Sequence, residues 1–124
     1  MTRPYGEQVA DLLTRYRYRY SSEDQLQERL AELLKEHGVG FCREYRIDAA
    51  NRFDFLLPHG VVLEVKVKGS LADALRQVDR YLALPQVNCV ILAGTPRWAA
   101  EPLPERPDWA GKGFHMVKLE RQSL

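Results

Sequence analysis

One stretch constrains the fold more than any other. It runs Arg52-Phe53-Asp54-Phe55-Leu56-Leu57, then Pro58-His59-Gly60, then Val61-Val62-Leu63-Glu64-Val65-Lys66-Val67-Lys68. Two apolar runs separated by a Pro–Gly turn read as adjacent strands of a hairpin. Side chains alternate between the faces of a strand. In the second run Val61, Leu63, Val65 and Val67 therefore share one face, and Val62, Glu64, Lys66 and Lys68 the other. In the first, Phe53, Phe55 and Leu57 share a face, while Asp54 stands opposite, beside Arg52 and Leu56. Because the turn is short, Asp54 and Glu64 are expected to converge from adjacent strands, with Lys66 two residues along on the same face.

The flanking sequence supplies helices to cover such a sheet. Ser21 and Ser22 are candidate N-caps, and Ser22 with Gln25 has capping-box spacing. Leu26, Leu30, Leu33 and Leu34 make an apolar stripe, and Gly38 is a natural stop. At about 100° per residue, Glu23 and Gln27 border the leucine face, whereas Glu28 and Glu32 turn toward solvent. Strands are expected over residues 39–48, 52–57 and 61–68. A second helix starts at Ser70, carries Ala72, Leu75, Val78 and Leu82, and stops before Pro85. Val90-Ile91-Leu92 centres a further strand over 88–95, residues 96–107 form a proline-rich loop, and 114–120 alternates as a closing strand. Ahead of all this, residues 7–20 read as a short helix or ordered arm ending in an Arg–Tyr alternation. The order helix, three strands, helix, strand, loop, strand predicts an α/β architecture, a mixed central sheet flanked by helices. Residues 1–20 are the N-terminal helix or arm and 21–124 the main body of a single domain.

Charge excludes less than it first suggests. The 124 residues hold 18 Lys plus Arg against 17 Asp plus Glu, a net charge of +1. No global field draws this chain to nucleic acid or membrane, so such a partner needs a local patch. No apolar run approaches the roughly 20 residues of a membrane span, and no membrane partner is expected. Asp11, Arg15 and Arg17 stand where a signal peptide needs apolar residues. Cys42 and Cys89, both in strand-like runs, are expected to be buried free thiols in a reducing, cytoplasmic setting. His37, His59 and His115 are scattered and fit structural or solvated roles. Trp98 and Trp109 flank the proline-rich loop, either anchoring it or marking a partner surface, and Gly111-Lys112-Gly113 reads as a turn.

The chemistry concentrates at Asp54 and Glu64. Two adjacent carboxylates repel unless a proton or a cation lies between them. A hard divalent ion takes oxygen ligands and keeps several waters. Such an ion lowers the pKa of a bound water and shields a phosphate, and Lys66 can orient that water or stabilise the charged phosphate. These are the parts needed for phosphodiester hydrolysis. The plain alternative is a surface strand with a Glu–Lys pair.

At these residues the sequence resembles the PD-(D/E)XK nuclease superfamily. The likeness covers residues 21–95. It consists of the opening helix with an acidic residue, Asp54, the triplet Glu64-Val65-Lys66, and Gln77-Val78-Asp79-Arg80-Tyr81, which looks like a Gln-x-x-x-Tyr element. Phe53 replaces the proline before Asp54. The resemblance implies a restriction-endonuclease-like αβββαβ core and a Mg²⁺- or Mn²⁺-dependent endodeoxyribonuclease, structure-selective or nicking, of the resolvase or phage and repair type. Its setting would be the cytoplasm of a bacterial, archaeal or phage-infected cell. The implied metal ligands are Asp54, Glu64, the Val65 carbonyl and an acid from the first helix. Glu23 is the choice for that acid, with Gln27 beside it and Glu28 as runner-up. Lys66 is the implied catalytic lysine, and Gln77 and Tyr81 contact the site or the substrate backbone. Arg15, Arg17, Arg19, Lys68, Arg76 and Arg80 are candidate DNA contacts, to a strand that is branched or single, and a homodimer would add a second site. The alternative is a catalytically inactive DNA-binding or assembly subunit that keeps the nuclease fold.

Overall fold

A computed structural model describes residues 3–103 and 109–122. Its core is a five-stranded mixed sheet in the order β2-β3-β4-β5-β6. These are β2 (Cys42–Arg46), β3 (Arg52–Leu57), β4 (Val61–Lys66), β5 (Cys89–Gly94) and β6 (Gly113–Lys118). β2, β3 and β4 form an antiparallel meander, and β5 and β6 continue parallel to β4. A smaller sheet pairs β1 (Arg17–Tyr18) with β7 (Glu120–Arg121) in parallel, tying the start of the chain to its end. The helices are α1 (Tyr5–Thr14), α2 (Glu23–Glu36) and α3 (Leu71–Leu82).

The helices take opposite faces. α1 and α2 pack on Phe55, Leu57, Val61, Leu63 and Val65, through residues such as Leu13, Leu26, Leu30 and Leu34. α3 covers the other face, where Ala74, Val78, Tyr81 and Leu82 meet Phe53, Val62, Val90 and Leu92. The result is a three-layer sandwich with β4 and β5 at its centre. The alternation expected for β4 is present, with Val61, Leu63 and Val65 toward α1 and α2 and Val62 toward α3. The N-terminal segment forms a helix that is part of the body of the fold, because α1 shares its core with α2.

Local chemistry sets the helix ends. The Gln25 amide donates to Ser22 Oγ at 3.2 Å, the expected cap. The Gln25 side chain reaches back one residue further than a capping box, accepting from Ser21 N at 2.7 Å and Ser21 Oγ at 2.6 Å. Gly38 at φ +70° ends α2, and Val39 N then donates to Leu34 O at 2.8 Å. Ser70 caps α3 through the Asp73 amide. The far end of α3 is closed by Lys112, whose Nζ donates to the Leu82 and Leu84 carbonyls at 2.9 Å, so the Gly-Lys-Gly turn serves as a helix cap.

Several expectations are corrected or resolved. Cys89 is buried, but Cys42 is exposed, because β2 is the edge strand and all five of its residues face water. The first strand is shorter than residues 39–48 and the third stops at Lys66. Both tryptophans anchor: Trp98 Nε1 donates to Gly69 O at 3.0 Å, and Trp109 Nε1 to Asp79 Oδ1 at 2.7 Å. Part of the proline-rich loop, 104–108, lies outside the described residues. No helix among the described residues is long and apolar enough to cross a membrane.

Candidate active site

The β3–β4 ladder runs through Leu57↔Val61, Leu56↔Val62 and Phe55↔Leu63 and stops there. Beyond it the two carboxylates take over the backbone bonding. Asp54 N donates to Glu64 Oε1 at 3.0 Å, and Val65 N donates to Asp54 Oδ2 at 2.8 Å. Each acid thus holds the other's strand, and the convergence read from the sequence is realised.

The alternation in β3 is broken at this point. Phe55 and Leu57 face α1 and α2 as expected, but Phe53 packs on the α3 side, against Tyr81 at 4.8 Å between ring centroids. β2 switches faces at the same rung. Arg43 lies over the Phe55 ring, whereas Tyr45 stacks on Phe53. Between them, in register with Asp54, sits Glu44 at φ +52°, a conformation that side chains rarely adopt. Both strands therefore twist together at Asp54, and its carboxylate projects along the sheet toward β4.

Glu64 is 2 % exposed. Burial, then the neighbouring Asp54 charge, push its carboxyl well above the ordinary range; the Asp54 amide and Lys66 pull only partly the other way. A proton or a cation fits beside such a carboxylate. The donors are all oxygen, which suits magnesium or manganese rather than a soft metal. Among the described residues no three Asp, Glu, His or Cys side chains form a ready cage. That is compatible with magnesium, which commonly uses one or two carboxylates and completes its shell with water.

Lys66 lines a cleft of about 410 Å³ together with Lys68, Gln77 and Arg80, with Glu23 on its α2 side and Asp73 on its α3 side; neither Asp54 nor Glu64 is among its lining residues. Of the first-helix candidates only Glu23 reaches this cleft. Gln27 is buried and accepts from Arg43 Nη2 at 3.2 Å, and Glu28 is exposed. Arg76 pairs with Asp73 on the surface of α3. Arg15, Arg17 and Arg19 do not line the cleft. They border two other grooves, with Arg29 and Glu36 in one and His37 and Gly38 in the other. A rim of these arginines beside the acids is therefore not formed.

Tyr81 is 1 % exposed and does not present its ring to a ligand. Its hydroxyl donates to the Arg52 carbonyl at 2.7 Å and accepts from Gln77 Nε2 at 3.0 Å. Burial raises its pKa, reinforced by the Glu64 charge. Tyr81 is thus a strut that fixes the strand two residues before Asp54, and Gln77 links that strut to the cleft. The resemblance implies that Tyr81 contacts the site or the substrate backbone; buried, it meets the strand that carries Asp54 and not a substrate, and its spacing with Val78 and Leu82 on an apolar helix face is the signal for that burial. Tyr81→Phe keeps the contact with Phe53 but leaves the Arg52 carbonyl without its donor. It is expected to cost about 1–3 kcal/mol, read as a lower melting temperature. An unchanged melting temperature would show that the strut carries no load.

No protein-family model, curated protein or solved structure gives a significant match to this chain.

Proposed function

We propose that this protein is a divalent-metal-dependent nuclease that hydrolyses phosphodiester bonds in DNA, as a nicking or structure-selective endonuclease. The observation that carries the reading is the interlocked Asp54–Glu64 pair, one acid buried and short of a counter-charge, with Lys66 beside it in the cleft. The element order, a helix, a three-stranded meander, a helix and a strand, also agrees with the PD-(D/E)XK nucleases, and supports the reading.

Asp54 and Glu64 would hold Mg²⁺ or Mn²⁺, with the Val65 carbonyl and Glu23 as further oxygens. When bound, the ion shields phosphate charge and lowers the pKa of a bound water. The protein's own groups do the rest. The backbone bonds to Asp54 and Glu64 fix both carboxylates before substrate arrives, so little reorganisation is needed. Lys66, on the same strand face, neutralises charge gathering on the phosphate oxygens or receives the water proton. A water oxygen bonds to phosphorus as the ester bond to one sugar oxygen breaks, and that oxygen takes up a proton.

The test is cleavage of supercoiled plasmid, linear duplex, single strands and a four-way junction in Mg²⁺ or Mn²⁺. Wild type is expected to cut at least one of them, and Asp54→Ala, Glu64→Ala and Lys66→Ala are expected not to. Cleavage that persists in all three variants would remove the assignment. The same assay ranks the helix acids. Glu23→Gln is expected to slow cleavage about 10-fold or more, as loss of an outer metal partner does, while Glu28→Gln leaves it unchanged. Equal effects of the two would remove Glu23 from the site.

A further inference from the structure

We infer that the cleft receives one unpaired DNA strand, held through two or three phosphates, rather than an intact duplex laid across it. This rests on the nuclease reading and adds the form of the substrate. Three observations carry it.

The first is recess. Glu64 is 2 % exposed, and Asp54 is half-buried. Lys66, two residues along from Glu64, opens into a cleft of about 410 Å³ between Glu23 on one side and the first turns of α3 on the other. A duplex, whose major groove alone is about 12 Å wide, can only rest on the rims of such a cleft, whereas a single strand can lie inside it.

The second is the supply of cations. The cleft's own are Lys66, Lys68 and Arg80. That is enough for two or three phosphates and too few for the dense charge of a duplex, about one per 1.7 Å of axis.

The third is the ground outside the cleft. α2 leads away from Glu23 with Asp24, Glu28, Glu32 and Glu36 exposed, against Arg29 and Lys35. On the opposite rim Asp73 is exposed and already paired with Arg76. Arg17 and Arg19 lie in a groove with Glu36, toward the far end of α2, a helix about 20 Å long. Glu32 is already paired with Arg29. A duplex resting on the α2 rim would still set its second strand against a net excess of exposed acids there, although Arg43, Arg46 and Arg52 are exposed on the β2 and β3 side. A lone strand inside the cleft avoids it.

The test is fluorescence anisotropy on the full chain, with Ca²⁺ as the divalent ion. It compares a 12-nucleotide single strand with a dumbbell duplex of the same sequence closed at both ends by non-nucleotide linkers, across a salt series. The single strand is expected to bind at least 10-fold tighter. Its log-affinity should fall with log-salt at a slope of about −1.4 to −2, the value for two or three phosphates on a single strand. Lys68→Ala and Arg80→Ala, both at exposed positions, should each weaken binding several-fold and reduce that slope by about 0.7. Equal or tighter binding of the dumbbell overturns the inference, as does a slope steeper than about −5. The nuclease reading fails separately. Cleavage of the dumbbell as fast as the strand, lost in Asp54→Ala, would sink the strand preference and keep the nuclease. Tighter single-strand binding with no cleavage of any substrate would sink the nuclease alone.

Discussion

Glu64→Gln is expected to stabilise the metal-free protein while removing its activity. In the unfolded chain this carboxyl titrates near 4.5, and in the folded protein well above that value, because burial and Asp54 disfavour its charge. Between those two values the folded state holds a proton that the unfolded state has lost. Stability therefore falls as pH rises through that window, and the full penalty is present above the folded value. Glutamine carries no charge to bury, can still accept from the Asp54 amide, and can donate to the Asp54 carboxylate. The variant should gain roughly 1–3 kcal/mol at pH 8 and close to nothing at pH 4, measured by thermal melting in EDTA. A variant less stable than wild type at pH 8 would mean that Glu64 is already compensated by the protein alone. Saturating Mg²⁺ should narrow the gap by stabilising wild type only.

Lys66→Ala is expected to separate binding from chemistry. Lys66 is half-buried in the cleft and accepts no backbone duty, unlike the two acids. Its loss should lower turnover about 10²–10⁴-fold, the range for a proton-transfer or charge-stabilising group, with folding intact. Divalent-ion affinity should hold or rise, because a nearby positive charge is removed. Lys66→Arg restores charge but not a titratable amine, and separates the two roles. Rescue by arginine points to charge, and failure of rescue to proton transfer. A fall in turnover under about 10-fold in Lys66→Ala would remove the lysine from the mechanism.

Much of the site was legible because strand periodicity is a strict rule. Val61, Leu63 and Val65 against Val62, Glu64 and Lys66 follow from alternation alone, and the Pro58–Gly60 turn set Asp54 beside Glu64. The helix caps at Ser22 and Ser70 were equally direct, because few residues accept a helix's free amides. What alternation could not show was its own interruption. Phe53 and Phe55 sit two apart and read as one face, yet they pack on opposite faces, since a single residue at φ +52° on the neighbouring strand re-aims the rung. That strand has little apolar pattern to read, which also explains why Cys42 was misplaced. The arginines at 15 to 19 lie away from the cleft for a related reason. Local alternation shows a segment's sides, but where the segment docks depends on the β1–β7 pairing with residues about a hundred positions away.

Asp54 and Glu64 are proposed to form one divalent-ion site. Calorimetric titration of the full chain with Mn²⁺ tests it most directly, beside Asp54→Asn and Glu64→Gln, each checked for folding by circular dichroism. Wild type is expected to bind Mn²⁺, and either substitution is expected to abolish that binding. Undiminished Mn²⁺ binding in both variants, or none in wild type, would exclude a metal site at this pair.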